Sequence, residues 1–505
     1  MRIAAIDLGT SSTRALVFED ARFTGIAASV ETTLAQPQSG AAEQDAESVF
    51  SALLACLARV RAAGPIDCVA LSSAMHSLLA VDEAGHALTP AFTWADNRAA
   101  REAAALRDSP AGPGLYRSTG VPLHPMAPLS KLVWLKAHEP QVFARAARFV
   151  SIKEYVVFRL FGQWLVDPAI AGASGLYDLE GGDWCDVALA ACGVGRDRLS
   201  RVAPPTMLLS GLDAQVTQLT GLAAHTPFML GASDGCLANL GAGLLAADPR
   251  RRAVLTIGTS GAMRMAVPQP APDAAMRTFC YQLDAGEFVI GGATNGGGLP
   301  LRWLRDNFAQ LRAGLEGDDP YTVLADLAEQ APAGAEGLLF HPYLAGERAP
   351  LWNAQARASF VGLTFAHGPA HLVRAVMEGV LFNLAMILDV LEELSGGPVD
   401  EILAGGGFAR SPFWLAMATD LFGRDLVVAE NPETTAQGAA LMALKATGRV
   451  TSLAQAVALL PVASRRLRPD PGRHARYARI KHVFAALPAT LAPLYPALAE
   501  LGREA

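Results

Sequence analysis

The chain has 505 residues, 51% of them hydrophobic and 18% charged, with a formal net charge of -7 at pH 7. At roughly 100–200 residues per domain, this length carries two large domains or three smaller ones, which excludes a short disulfide-stapled scaffold, and so apolar a composition excludes a disordered chain. So weak a net charge, with no Lys/Arg block, argues against nucleic acid or an anionic membrane as a partner.

Taken in chain order, residues 2–8 form a β-rich run ending in Asp7-Leu8-Gly9-Thr10-Ser11-Ser12-Thr13-Arg14, and residues 15–18 resume it, which predicts a hairpin with a Gly/Thr/Ser turn. Asp45 caps a helix-periodic run through Arg61, residues 66–71 read as a strand, and 140–161 as mostly helical. A strand at 228–231 runs into Ser233-Asp234-Gly235 and a helix. Gly, Ala, Asp, Pro and Arg cluster over 243–252, which sets a domain boundary dividing 1–246 from 247–505. Beyond it, 253–257, Gly258-Thr259-Ser260-Gly261 and 262–267 repeat the first hairpin, with Gly258, Thr259 and Ser260 answering to Gly9, Thr10 and Ser11. Strands at 288–290 and 338–340, a helix over 370–394 and a strand at 401–404 follow; the last runs into Gly405-Gly406-Gly407, and Ser411-Pro412 opens a helix to Phe422. The pattern is α/β: two related domains with a cleft between them.

The six cysteines, Cys56, Cys68, Cys185, Cys192, Cys236 and Cys280, lack the spacing of a disulfide framework or a zinc site, so a reduced, cytoplasmic compartment is expected. Asp7 arrives before any apolar stretch of signal-peptide length. The most apolar later window, 375–391, is interrupted by Glu378, Asn383 and Asp389 and reads as a buried helix rather than a membrane span. The only lysines are Lys131, Lys136, Lys153, Lys445 and Lys481, which makes each more informative.

Several motifs carry chemistry. Gly9 lets the backbone approach a ligand, and Thr10, Ser11, Ser12 and Thr13, with Arg14, offer N–H and hydroxyl donors to a phosphate; Asp7 is placed to hold a hydrated Mg²⁺ beside it. The second turn, Gly258-Thr259, would grip the same polyphosphate, but with Thr256 in the place of Asp7 it adds no second metal position. Gly406 and Gly407, before the N-cap Ser411, suit a nucleotide's adenosine or phosphate. Gly231-Ala232-Ser233-Asp234-Gly235 matches a nucleophile elbow, so a serine hydrolase with Ser233 and His341, His367 or His371 is a rival; alternatively Asp234 is the base that takes a hydroxyl proton in phosphoryl transfer. Two phosphate turns favour the second. Met75-His76-Ser77 and Thr93-Trp94-Ala95-Asp96-Asn97-Arg98, with Lys153, supply the inventory for a polyhydroxylated substrate.

These motifs resemble the FGGY family of carbohydrate kinases within the actin-like ATPase superfamily. So do Thr294-Asn295-Gly296-Gly297-Gly298 and the stretch from Gly346-Glu347-Arg348-Ala349-Pro350 to Phe360-Val361-Gly362-Leu363. The resemblance implies two ribonuclease-H-like domains closing on ATP, Mg²⁺ and a sugar. It assigns Asp234 as catalytic base, Asp7 and Asp234 to the metal, the Thr10 and Thr259 turns to the phosphates, and Gly298, Gly407 and Ser411 to the adenosine side. The segments 75–82 and 93–98 are similar to the gluconokinase branch. Ser77 departs from the Met-His-Gly more typical of xylulokinases, which stand second. An aldonate acceptor such as gluconate wants a cation, for which Arg98 and Lys153 are the candidates. A homodimer is a further expectation.

Overall fold

The computed structural model describes residues 1–246, 251–308, 319–428, 433–461 and 465–504. It divides into two compact units, the first made of Met1–Asp248, Ala266–Ile290 and Glu433–Pro461, the second of Pro249–Met265, Gly291–Pro432 and Val462–Ala505.

In the first unit β1 (Arg2–Leu8), β2 (Ser12–Glu19) and β3 (Arg22–Glu31) form an antiparallel meander. Helix α1 (Ala46–Ala62) follows, with the Asp45 carboxylate accepting from Ser48 N at 2.6 Å as the N-cap. It buries Val49, Phe50, Leu53, Leu57 and Val60 at helical spacing, each contributing about 2 kcal/mol of apolar burial. β4 (Cys68–Ser73) lies parallel to β1. After α2 (Pro128–His138), α3 (Ile152–Phe161) and α4 (Pro168–Ala173), β5 (Leu208–Leu209) pairs antiparallel with β6 (Phe228–Ser233), which runs parallel to β4 and leads into α5 (Asp234–Gly241). The sheet order is β5-β6-β4-β1-β2-β3. β1, β4 and β6 are almost wholly buried, as strands covered on both faces must be, which is why they read as continuous apolar runs.

The second unit repeats the pattern. β7 (Arg252–Ile257) and β8 (Gly261–Val267) form a hairpin, β7 lies parallel to β9 (Glu401–Gly405), and β9 lies parallel to β10 (Asp425–Val428), itself paired antiparallel with β11 (Arg465–Leu467). Helix α6 (Pro369–Ser395) is the buried helix expected at 370–394, and α7 (Pro412–Phe422) joins β9 to β10. Glu378, inside α6, is buried but held by Arg374 Nε at 2.7 Å and the Tyr477 hydroxyl at 2.8 Å. Among the described residues no helix is long and apolar enough to cross a membrane.

Two features add detail to the expected organisation. A single cut at 246/247 separates 266–290 and 433–461 from the unit they belong to. The reason is packing: α8 (Thr434–Ala446) lies on α5, β1 and β4, Gln437 Nε2 donates to Ala21 O at 2.7 Å, and Lys445 meets Asp284 at 2.5 Å. The segment 140–161 is mostly helical, as expected, but in two helices, Pro140–Arg145 and Ile152–Phe161. A strand at Arg148–Val150 pairs with Leu79–Val81, and Ser151 then starts α3 with a capping box to Glu154.

Candidate functional site

In the β1–β2 hairpin, Gly9 N donates to Ser12 O at 3.0 Å, and Asp7 lies directly across from Arg14. Gln44 Nε2 ties down the turn through Gly9 O (3.1 Å) and Thr10 O (2.7 Å), while Trp94 Nε1 donates to Thr10 Oγ1 at 3.0 Å. Ser11 is exposed, and Ser12 and Arg14 are half-buried. Thr13 is fully buried, so its side chain is withdrawn from the expected phosphate set. Arg14 Nη2 reaches Glu433 at 2.5 Å. Asp7 is pushed up to about 7, first by burial and then by the negative charge of Asp234, against the pull of Arg14.

Asp234 is set by a bulge. β6 slips register against β4 between Met229 and Ala232, and Gly231 adopts φ +69°, where a Cβ would lie 1.7 Å from Leu71 O. Glycine is required there by the backbone, so the elbow motif needs no nucleophile to explain it. Ser233 is fully buried and caps α5, accepting from Cys236 N at 3.4 Å, which removes the serine-hydrolase reading. Asp234 follows as the first helical residue, half-buried, with Gly235 N donating to its Oδ1 at 2.6 Å.

No group of three or more His, Cys, Asp or Glu side chains suited to a metal occurs among the described residues. Two carboxylates that repel one another, one of them held near neutrality, nevertheless form a hard-oxygen pair whose strain a cation relieves. That fits Mg²⁺, which keeps waters and takes one or two carboxylates plus phosphates.

The residues expected on the acceptor side fall into two kinds in the first unit. Met75 and Trp94, with Thr10, Gln44, Ser73, Ser77 and Thr93, line one recess, which brings together the turn expected to hold phosphate and the segments expected to hold the sugar. His76 has φ +65°, rare for a side chain other than glycine, with Nδ1 2.7 Å from Ala173 O and Nε2 3.5 Å from the Tyr281 hydroxyl. Asn97 is exposed. Asp96 is fully buried and grips Arg98 Nε and Nη2 at 2.7–3.2 Å, while the same Nη2 meets Glu43 at 2.7 Å. Lys153 is equally committed: only 2% exposed, its Nζ lies 2.7 Å from Asp167 and 3.3 Å from Ala232 O, next to Ser233 and Asp234.

In the second unit, Gly258 N donates to Ser260 O at 2.9 Å, and Gly298 N packs onto the turn by donating to Gly258 O at 2.7 Å. Gly258 and Thr259 are exposed. Gly406 has φ +90°, and a Cβ there would sit 2.5 Å from Ile257 O, so β9 can leave the sheet against β7 only with glycine. Gly407 is exposed, and the Ser411 hydroxyl caps α7 by accepting from Trp414 N at 3.2 Å. Sequence reasoning gave Glu347 no separate role. Buried, it accepts from Thr294 Oγ1 at 2.6 Å, Asn295 N at 2.8 Å and Arg348 N at 2.7 Å, and burial pushes its carboxyl up to about 7 despite these bonds. It anchors the strand end that leads to Gly298. Gln44, Glu433, Tyr281 and Asp167 were likewise missed, since each meets its partner only through the fold.

Comparison with known proteins agrees with this geometry. Residues 2–241 match the N-terminal domain and residues 253–447 the C-terminal domain of the FGGY family of carbohydrate kinases. The chain is 40% identical to the gluconokinase of Bacillus subtilis (strain 168) over 504 residues, covering 99% of this chain and 98% of that one. It is 30% identical to the xylulose kinase of Escherichia coli (strain K12), covering 97% and 99%. The crystal structure of gluconate kinase from Lactobacillus acidophilus superposes with a TM-score of 0.92 at 32% identity, covering 98% of this chain and 99% of that one. With both domains matched in order and the two-unit α/β architecture shared, the chain belongs to the FGGY family of carbohydrate kinases, enzymes that use ATP as substrate.

Proposed function

We propose that the chain is a gluconokinase, transferring the γ-phosphoryl group of ATP to the primary hydroxyl of D-gluconate to give 6-phosphogluconate and ADP. The observation that carries this acceptor is the 40% identity to a gluconokinase over nearly the whole of both chains. The site supports the reaction class, because a half-buried Asp234 at the start of α5 shares its surroundings with Asp7 and the phosphate turn.

Asp234 accepts the hydroxyl proton as the acceptor oxygen bonds to phosphorus and the bond to ADP breaks. Gly9, Thr10, Ser11, Ser12 and Arg14 hold phosphates, and Gly258, Thr259, Gly298, Gly406, Gly407 and Ser411 hold the nucleotide. Asp7 and Asp234 are the residues that would hold Mg²⁺, which when bound supplies positive charge to the phosphate oxygens. Met75, His76, Asn97 and Trp94 face the acceptor, while Asp96 and Lys153 support it from beneath. Of the two candidate cations Arg98 is the better partner for the gluconate carboxylate, since its Nη1 makes no hydrogen bond among the described residues whereas Lys153 is spent on Asp167. We place the enzyme in the cytoplasm, in keeping with six buried, unpaired cysteines, and propose that it works as a homodimer, which size-exclusion chromatography with light scattering tests.

Xylulose is the second reading, favoured by the likeness to xylulose kinases. An ADP-release assay with MgATP over gluconate, xylulose, ribulose and glycerol separates them. Gluconate should give the highest kcat/KM by at least tenfold, and a preference for xylulose would overturn the proposal. Arg98→Lys, which loses the planar fork but keeps the charge, should raise the gluconate KM about tenfold and leave any residual xylulose KM within twofold. Equal changes for both would remove Arg98 from the carboxylate.

A further inference from the structure

Lys131 takes no part in the reaction as described, yet it is among the most deeply buried cations of the first unit, 1% exposed in α2. Its Nζ donates to His76 O at 2.7 Å, Thr93 O at 2.6 Å and Phe92 O at 3.4 Å. These carbonyls come from two segments, at His76 and at Phe92-Thr93, and each leads directly into an acceptor-side residue: the first is that of His76 itself, the second runs into Trp94. The two segments also meet across the backbone bridge between Leu78 and Phe92, whose N–H groups donate reciprocally at 3.0 and 2.8 Å. His76 needs holding most, because its left-handed backbone aims its carbonyl away from the course an extended strand would give it.

We infer that Lys131 is a positioning residue of the acceptor site, an internal clamp whose ammonium fixes the His76 and Trp94 segments to each other and so sets their spacing across the bound sugar. No carboxylate hydrogen-bonds Lys131 among the described residues, so the ammonium is satisfied by carbonyl dipoles alone. Burial pushes it down to about 7, with the charge of Asp96 pulling it back up. A lysine kept for stability alone is a costly choice at such a place, since Phe92 O and Thr93 O already accept from Leu78 N at 3.0 Å and Asp96 N at 3.1 Å and do not need a buried ammonium to satisfy them. The consequence is selective. Loss of the clamp loosens the acceptor side while leaving the nucleotide-binding turn at Gly258, in the other unit, as it was.

The inference rests on the acceptor site proposed above, and the test separates the two. Wild-type enzyme is first assayed for its acceptor; if it turns over a sugar other than gluconate, the substrate proposal fails and the Lys131 test proceeds with that sugar. Lys131→Met, Lys131→Gln and Lys131→Arg are then compared for KM of acceptor, KM of ATP, kcat and Tm. The neutral variants should raise the acceptor KM at least tenfold and Lys131→Arg, which keeps the charge but not the compact ammonium, about threefold, with the ATP KM within twofold throughout. Should neither neutral variant fold, Lys131→Arg decides. An acceptor KM within twofold of wild type in every variant that folds, whatever the loss of Tm or kcat, would overturn the inference and leave Lys131 a structural cation.

Discussion

The two Gly-Thr-Ser hairpins are built on one frame and differ in what fills it. Both precede a parallel strand and then a second one, in the orders β2-β1-β4-β6 and β8-β7-β9-β10. In the first, Asp7 faces Arg14 across the hairpin; in the second, Thr256 faces Ala262, and the turn closes one residue sooner, Ile257 pairing with Gly261 where Leu8 pairs with Thr13. The first hairpin is surrounded by charge from Asp234, Arg14 and Glu433. The second is surrounded by close backbone: Gly298 donates onto Gly258, and Gly406 presses on Ile257. One hairpin thus carries titratable groups at its turn, and the other is enclosed by backbone with no titratable group of its own at the Asp7 position.

The largest expected effect tests the charged copy. Asp234→Asn keeps the size of the side chain but cannot take a proton, so kcat should fall by about 10³-fold with Tm unchanged, since general-base catalysis typically contributes 10²–10⁴-fold. Activity within tenfold of wild type would move the base elsewhere. Next, Asp7→Asn should lower kcat about 10²-fold and raise the Mg²⁺ concentration needed for half-maximal rate. It should also stabilise the ligand-free protein. The Asp7 carboxyl is raised in the folded state to about 7 from about 3.9 in an unfolded chain. Its favourable contribution is therefore complete below the unfolded value and lost as pH rises through the folded one. An asparagine never ionises. The Tm of the variant should accordingly match wild type near pH 4 and exceed it by about 2–4 °C at pH 8, as thermal melts over that range would register. A variant less stable at pH 8 would mean that Asp7 is ionised at no cost.

How much of this was legible follows from the range over which each signal acts. The hairpins, the Asp45 and Ser411 caps and the strand–helix junction at Asp234 are local patterns a few residues long, and their structure agrees. Thr13 was misjudged although the signal was present: it shares the inward face of β2 with Ala15 and Val17, and strand alternation removes its hydroxyl from the turn. Glu433, Asp167 and Tyr281 carried no such signal. Glu433 reaches Arg14 only because α8 returns to the first unit, and Lys153, a candidate for the substrate carboxylate by sequence, meets Asp167, from the cap of α4, in the interior. The same return of α8 explains why a boundary drawn from composition could not describe the compact units.

The smallest expected effect tests the uncharged copy. If the second hairpin works as a cradle of backbone, its function should be sensitive to a single methyl group where the backbone is closest and insensitive to charge. Gly406→Ala places a Cβ 2.5 Å from Ile257 O in a conformation that alanine avoids. The strand end must shift, at a cost of about 1–3 kcal/mol, and carry Gly407 and the start of α7 with it. The ATP KM should rise about fivefold, the acceptor KM should stay within twofold, and kcat at saturating ATP should be nearly unchanged, because no group that handles a proton has moved. The opposite split, a raised acceptor KM with ATP unaffected, would mean that the second hairpin does not serve the nucleotide.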